Sequence, residues 1–182
     1  MIRNEIRMTV YSYEMAKEVS ELAEAMGCNV YVHIKLDTGM ARLGFQITKE
    51  NADEIARISK LPNLVMEGMF THFAVSELAD HSFTLEQGKR FLEYANIAHE
   101  AGYAPLLHAA NSGAALALPE LQFGMVRGGI AMYGYHPIGH PVETFDLRPA
   151  LSWKTNIVHI KQIEAGESVS YGRRFIAEKP TL

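Results

Sequence analysis

Cationic and hydrogen-bonding side chains follow several short apolar runs of the sequence, at the points where those runs end. Lys35 ends one run, and Arg42 lies in the loop after it. The other candidates hold the same kind of position further along the chain: His72, Asn111, Ser112 and Arg127, the last followed by Gly128, Gly129 and Ile130. The set contains little carboxylate apart from Asp37, and successive glycines can present backbone N–H groups to a phosphate. These residue types therefore predict a site for an anionic, phosphorylated small molecule.

The apolar runs alternate with amphipathic segments, a pattern that predicts a parallel sheet covered by helices. Strands are predicted at residues 9–11, 29–35, 64–71, 106–109 and 124–128. Ser12 and Thr48 are predicted to begin the first two helices, and Thr84 with Gln87 to form a capping box that opens a long third one. Because active sites of parallel barrels lie at the carboxyl ends of the strands, we expect the candidate side chains to meet at one rim.

The predicted fold class is α/β. An eight-stranded barrel usually takes about 250 residues, so a chain of this length holds only part of one. Near Tyr135 the pattern changes to turns, and β-type segments at 151–163 and 168–172 follow. We therefore predict a partial (β/α)8 TIM-type barrel over residues 1–138 and the beginning of an all-β domain over 139–182. Both ends look cut, and we expect an internal fragment of a longer protein.

Composition excludes several function classes. The 182 residues carry a net charge of −4, which disfavours binding to nucleic acid. No apolar run approaches the roughly 18–20 residues that span a bilayer, and no signal peptide opens the chain. A single cysteine, Cys28, rules out an internal disulfide framework and fits a cytoplasmic setting. We expect no metal site, because Pro137 and Gly139 prevent the helix that would align His136 with His140.

Five segments resemble motifs of the bacterial alanine racemases, and they occur in that family's order. They are 32–44 (VHIKLDTGMARLG), 68–74 (GMFTHFA), 108–112 (HAANS), 125–134 (MVRGGIAMYG) and 169–172 (VSYG). The resemblance spans nearly the whole chain. It implies an enzyme with pyridoxal 5'-phosphate as cofactor, built from an N-terminal barrel and a C-terminal β domain, with its active site at a homodimer interface. The implied reaction interconverts L-alanine and D-alanine by two-base proton transfer, and in a bacterium it supplies D-alanine for peptidoglycan.

The resemblance also implies the roles of the cofactor-binding residues. Arg127 would face the pyridine nitrogen, where an always-charged guanidinium keeps that nitrogen unprotonated. His72 would pack beside the ring. Ser112, with the backbone of Gly129 and Ile130, would hold the phosphate. Asn111, from the same motif as Ser112, is included in the cofactor-binding set.

The implied substrate-binding and catalytic residues come from two other motifs. Arg42 would meet the substrate carboxylate and the phenolic oxygen of the cofactor. Lys35 would be carbamylated, as in many family members, and would fix Arg42 as its anionic partner. Tyr171 would be one of two opposed acid–bases and would reach into the site of the partner subunit. A tyrosine needs nearby cations to lower its pKa before it can act as a base at neutral pH.

One departure from the family pattern limits what this chain can do alone. The family's Schiff-base lysine lies in a segment of the form VVKADAYGHG, which the 182 residues do not contain. Lys35 is no substitute, because its motif matches the position that supports Arg42. We therefore expect this chain to be inactive by itself. Two alternatives stay open: the racemase domain of a serine/alanine racemase, and a non-catalytic half-barrel that binds pyridoxal phosphate or a partner chain.

Overall fold

The computed structural model describes residues 1–100, 102–137 and 146–182. Residue contacts divide the chain into two units, Met1–Ala150 and Leu151–Leu182. The expected domain boundary between residues 138 and 139 lies outside the described residues, as does His140.

A parallel sheet organises the first unit. Its strands are β1 (Met8–Val10), β2 (Val30–Asp37), β3 (Phe45–Gln46), β4 (Leu64–Phe70) and β5 (Leu106–His108). They lie in the order β1-β2-β4-β5, with β3 paired to the end of β2, and every pair is parallel. Strands that run the same way end at the same edge, so the partial barrel brings the predicted rim together.

Helices connect the strands: α1 (Tyr13–Ala25), α2 (Lys49–Ile58), α3 (Ser82–Glu100) and α4 (Ser112–Ala117). The side chains of Ser12 and Thr48 accept hydrogen bonds from the backbone N–H groups of Met15 and Asn51, both at 3.2 Å. These bonds satisfy N–H groups that have no partner within the first helical turn. Both predicted helix starts are confirmed.

The predicted capping box of α3 is wrong. The helix begins at Ser82, so Thr84 lies inside its first turn, fully buried. The Thr84 hydroxyl has no hydrogen-bond partner among the described residues. Gln87 directs its amide away from the helix start, to the loops that follow β2 and β4. The spacing of these two residues suits a cap, but burial against the sheet decides where both side chains point.

The hydrophobic core lies between the sheet and the helices. The inward side chains of β2, Val32, Ile34 and Leu36, are fully buried, and Ala16 of α1 and Phe91 of α3 pack into the same cluster. Each large apolar side chain buried in this way contributes about 1.5–3 kcal/mol to folding. The core thus holds β2 rigidly at the centre of the sheet, and β2 carries Lys35.

Two predicted strand segments form no strand in the structure. The segment 124–128 forms only a single parallel bridge, from Met125 to His108. The run 151–163 forms no strand within the second unit, all of which is described; that unit contains β6 (Ser168–Val169) paired antiparallel with β7 (Phe175–Ile176) and a bridge from Ile163 to Thr181. A strand needs a neighbour for its hydrogen bonds, and residues 151–162 meet none in this unit.

No helix in the described part of the chain is long and apolar enough to cross a bilayer. Among the same residues, no group of three or more His, Cys, Asp and Glu side chains is placed to hold a metal ion.

Gly44, between the Arg42 loop and β3, tests how tightly that loop is built. Its φ is +127°, and a Cβ added there would lie 2.8 Å from the Asp37 nitrogen and the Leu36 carbonyl carbon. Gly27 also has a positive φ, of +63°, but a Cβ there would meet nothing within 4 Å. We expect Gly44→Ala to lower the free energy of unfolding by more than about 3 kcal/mol and Gly27→Ala by about 1 kcal/mol, measured by urea denaturation. Equal losses would show that the close approach at Gly44 is relieved at little cost.

Candidate active site

The rim is built from the carboxyl ends of three neighbouring strands. Lys35 lies near the carboxyl end of β2, His72 follows the end of β4, and β5 ends at His108. Arg127 comes after the single bridge to β5, and its backbone N–H donates to the Ala110 carbonyl at 2.9 Å. The sheet therefore places one cation or imidazole from each strand end at the same edge.

The guanidinium of Arg127 ties these strand ends together. Its Nη2 donates to the carbonyl oxygens of Thr71 at 2.8 Å and Ala109 at 3.0 Å, and its Nη1 donates to His108 Nδ1 at 2.8 Å. Burial lowers the pKa of Arg127 to about 10, so the group keeps its charge at neutral pH. The Phe70 ring lies beneath it, 5.2 Å from ring centroid to guanidinium carbon. This cation is held by neutral acceptors, with no carboxylate among the hydrogen bonds described.

Arg127 also fixes the protons of two histidines behind it. Since a guanidinium only donates, His108 Nδ1 must accept, and the His108 proton lies on Nε2. That proton points to His33 Nδ1 at 2.7 Å, so His33 donates from its own Nε2 to Glu67, 3.1 Å away. Burial, then the charge of Arg127, lowers the pKa of His108 to about 3. His108 is therefore neutral in the folded protein, and the directions of the hydrogen bonds assign one tautomer to each of the two imidazoles.

Sequence reasoning missed His33 and Glu67. A usable signal existed, because His33 and Lys35 are two residues apart on β2 and so project from the same face of the strand.

Lys35 is almost completely buried, with 2% of its surface exposed. Its Nζ donates to the carbonyl oxygens of Leu36 at 2.6 Å and Leu43 at 3.2 Å. Burial lowers the pKa of Lys35 to about 8; the charges of Arg42 and Arg127 act in the same direction, and Asp37 opposes them. Lys35 thus anchors the loop that carries Arg42.

The loop from Asp37 to Gly44 carries Arg42 to the rim. Burial disfavours the charge of Asp37, but hydrogen bonds from the N–H groups of Gly39 and Ala41, both at 3.0 Å, outweigh it and hold the pKa of Asp37 below its usual value. The pKa of His72 is lowered by burial first and then by the charges of Arg127, Arg42 and Lys35. The structure therefore brings four predicted site residues into one electrostatic neighbourhood.

A cleft of about 680 Å³ opens beside this cluster. Its lining includes six of the predicted site residues: His72, Asn111, Ser112, Arg127, Gly129 and Ile130. The N–H groups of Gly129 and Ala131 converge on Ser112 Oγ, at 2.8 Å and 3.2 Å. The N–H of Gly129, expected at the phosphate, thus donates to the Ser112 hydroxyl in this structure, and the Ile130 N–H lies between these two donors in sequence.

Asn111 lines the cleft, and its side chain is hydrogen-bonded to other groups of the protein. Its Oδ1 accepts from the Ala114 N–H at 3.1 Å, which caps α4, and from Ser76 Oγ at 2.6 Å. Its Nδ2 is directed to the Phe73 carbonyl at 3.4 Å. These bonds join the loop after β4 to the loop after β5. The expected contact of Asn111 with a cofactor stays a prediction.

Tyr171 belongs to the second unit, where it begins a short 3₁₀ turn and is 98% exposed. Its side chain carries no described contact that would define a chemical role, so the expected acid–base function stays a prediction.

Comparison with known proteins decides the family. The model of the alanine racemase N-terminal domain matches residues 1–137, and that of the C-terminal domain matches residues 150–182. This chain belongs to the alanine racemase family. The partial barrel and the small antiparallel pair are what the resemblance led us to expect of the fold.

Individual alanine racemases are similar to this chain over nearly its whole length. It is 45% identical to the alanine racemase of Clostridium tetani, with 100% of this chain and 47% of that protein covered. Among solved structures, the alanine racemase of Clostridium difficile 630 superposes with a TM-score of 0.83 at 39% identity, covering 98% of this chain and 47% of that one. The Bacillus anthracis enzyme, whose structure contains L-Ala-P, gives a TM-score of 0.76 at 32% identity, with 97% and 46% covered. The chain spans about half the length of the alanine racemases it matches.

The neutral state of His108 makes stability depend on pH. In the unfolded chain, His108 binds a proton with the ordinary histidine pKa of about 6.5. In the folded protein its pKa is about 3, so it stays unprotonated until the pH falls to that value. The unfolded state therefore holds more protons in this window, and stability falls as the pH falls below about 6.5, by up to about 1.4 kcal/mol per pH unit. We expect urea denaturation between about pH 7 and 5 to show this slope, and His108→Gln to reduce it.

The matched control is His159→Gln, since His159 is an exposed histidine of the second unit. It should leave the slope unchanged. An identical slope in His108→Gln and the parent protein would contradict a buried neutral imidazole at this position.

Proposed function

We propose that this chain contributes the cofactor- and substrate-binding rim of a pyridoxal-phosphate-dependent alanine racemase. One observation carries the proposal. In a chain of this family, four side chains lie close together beside the cleft that Ser112 lines: Lys35, Arg42, His72 and Arg127. A rim with three cations suits a ligand with a phosphate and a carboxylate. The relatives support the same choice: one solved structure holds L-Ala-P and another is a complex with cycloserine.

The residues present fit pyridoxal phosphate. Two backbone N–H groups converge on one oxygen, Ser112 Oγ, which supports this corner of the cleft as the place for a phosphate oxygen. Arg127 supplies a half-buried donor for a ring nitrogen, and His72 lines the same cleft. Ser112, Gly129 and Ile130 would hold the phosphate and Arg127 the ring nitrogen. When bound, the cofactor withdraws electrons from the substrate Cα and so acidifies its hydrogen.

The chain's own residues would orient the substrate and limit the chemistry. Arg42 would bind the alanine carboxylate with its planar fork of donors. The permanent charge of Arg127 would keep a proton off the ring nitrogen, which favours simple proton exchange over side reactions. Lys35 would support Arg42, and its lowered pKa leaves part of it as the free amine that carbamylation requires.

Racemisation needs an acid–base on each face of the substrate Cα. We assign one of these positions to the hydroxyl of Tyr171, which would give and take the proton in the site of a second copy of the protein. This assignment requires a homodimer, and we further propose a cytoplasmic location and D-alanine supplied for peptidoglycan.

Arg127 provides the direct test of the proposed activity. In the protein expressed from its complete reading frame and loaded with pyridoxal phosphate, we expect racemisation of alanine. Arg127→Glu should lower kcat at least about a hundredfold, because a carboxylate would favour a protonated ring nitrogen and accept its hydrogen bond, where the guanidinium donates to an unprotonated one. Racemisation is followed by circular dichroism of alanine, and far-UV spectra check that the variant is folded.

The control is Arg148→Glu, which reverses the charge of an exposed arginine paired with Asp146. It should leave kcat unchanged. Full activity in Arg127→Glu would remove Arg127 from the proposed role, and absence of racemisation in the parent protein would overturn the proposed function.

Ser112 tests the phosphate corner separately from the chemistry. Ser112→Asp puts a carboxylate where the hydroxyl now accepts from Gly129 and Ala131. We expect the Kd for pyridoxal 5'-phosphate to rise at least about tenfold through charge repulsion, while binding of pyridoxal, which has no phosphate, changes little. Equilibrium dialysis measures both, with Ser152→Asp at an exposed serine as the control. An equal loss for the two ligands would place the phosphate elsewhere.

A further inference from the structure

Helix α3 contributes a fully buried amide that the proposed mechanism does not use. Gln87 is 0% exposed. Its Nε2 donates to Thr38 Oγ1 at 3.1 Å and to the His72 carbonyl at 3.2 Å, and its Oε1 accepts from the Ala74 N–H at 2.9 Å. All three bonds go to the two loops that carry Arg42 and His72, and none stays within the helix.

Thr38 is also hydrogen-bonded to Thr71, at the end of the sheet. Thr71 Oγ1 donates its one proton to the Leu36 carbonyl at 3.1 Å. The 2.7 Å contact between the two threonine hydroxyls must therefore use the proton of Thr38. The hydroxyl of Thr38 thus donates to Thr71 and accepts from Gln87. This directed chain of bonds fixes the start of the Arg42 loop against the ends of β2 and β4.

Other contacts show that α3 is the support on which the Arg42 loop lies. Arg90, one turn after Gln87, points its Nη1 to the Thr38 carbonyl at 3.4 Å. A Cβ at Gly39 would come within 2.9 Å of the Phe83 ring and 3.6 Å of Gln87 Cγ. The loop backbone therefore packs directly on this helix, three residues before Arg42.

We propose that Gln87 is a positioning residue that locks the Arg42 loop to the His72 segment. A primary amide is the one uncharged side chain of this length with two donors and an acceptor, so it satisfies Thr38, His72 and Ala74 together. Replacing it with an apolar side chain leaves buried polar groups unpaired on both loops. The effect on catalysis rests on the proposed function, in which Arg42 binds the substrate carboxylate, whereas the effect on the two loops does not.

The test compares two variants of the same helix. Gln87→Met keeps the length and loses every bond to the loops. Tyr94→Phe also loses a buried bond from α3, the 2.9 Å bond to the Thr48 carbonyl, which lies at the start of α2. Hydrogen–deuterium exchange followed by mass spectrometry reports on residues 37–46 and 71–75. Steady-state kinetics on the protein from its complete reading frame report KM and kcat.

We expect Gln87→Met to speed exchange at least about tenfold in both segments and to leave peptides of α1 and β1 unchanged. The KM for alanine should rise at least about tenfold, with kcat within about threefold of the parent value. Tyr94→Phe should change neither segment nor KM. Unchanged exchange in the two segments of folded Gln87→Met, or an increase spread evenly over the chain, would overturn the proposal.

Thr38→Val provides a second variant that leaves Gln87 in place, in case Gln87→Met does not fold. It removes the acceptor for Gln87, so exchange should rise in residues 37–46 first. If it rises in neither segment, the proposal fails. If exchange changes as expected but the parent protein racemises no alanine, the positioning role stands and the proposed function fails.

Discussion

The half-buried guanidinium of Arg127 is the constraint around which the rim is arranged. A charge removed from water must be compensated by well-placed acceptors. Here the compensation comes from two backbone carbonyls and the imidazoles of His108 and His72, so the ends of β4 and β5 and the following loop must meet at one point. Because every partner of Arg127 is uncharged, the positive charge is not neutralised by the protein. It remains available to a ligand that enters the cleft.

The same arrangement determines the protonation of the groups behind the rim. A guanidinium cannot accept, so His108 must, and the donors then run outward from His108 through His33 to Glu67, which also accepts from Arg7. One carboxylate therefore lies at the far end of the chain of bonds, away from the cleft. The direction of these hydrogen bonds thus keeps the carboxylate of Glu67 behind the rim, separated from Arg127 by two imidazoles.

Sequence patterns gave the parallel sheet, the helix starts at Ser12 and Thr48, and the site residues that the fold gathers at the rim. They worked there because strand ends and caps depend on local residue types. They failed for Gln87, whose spacing from Thr84 suits a capping box although tertiary contacts decide its role. They also failed for residues 151–163, whose β-type composition cannot form a strand without a partner. The side-chain bonds of Asn111 likewise depend on Ser76 and Phe73, which no motif connects to it.

Cation placement and loop rigidity are two aspects of one arrangement. Burial is the first cause of the lowered pKa values of Lys35 and His72, and the charges of Arg42 and Arg127 lower both of them further. Such a group of like charges would separate if its loops were free to move. The carboxylate of Asp37, the Lys35 bonds to backbone carbonyls and the amide of Gln87 prevent that separation. An anion bound at the rim relieves the repulsion and stabilises the folded state through its binding energy. The polar framework that holds these like charges together would thus also suit the rim to the proposed anionic ligand.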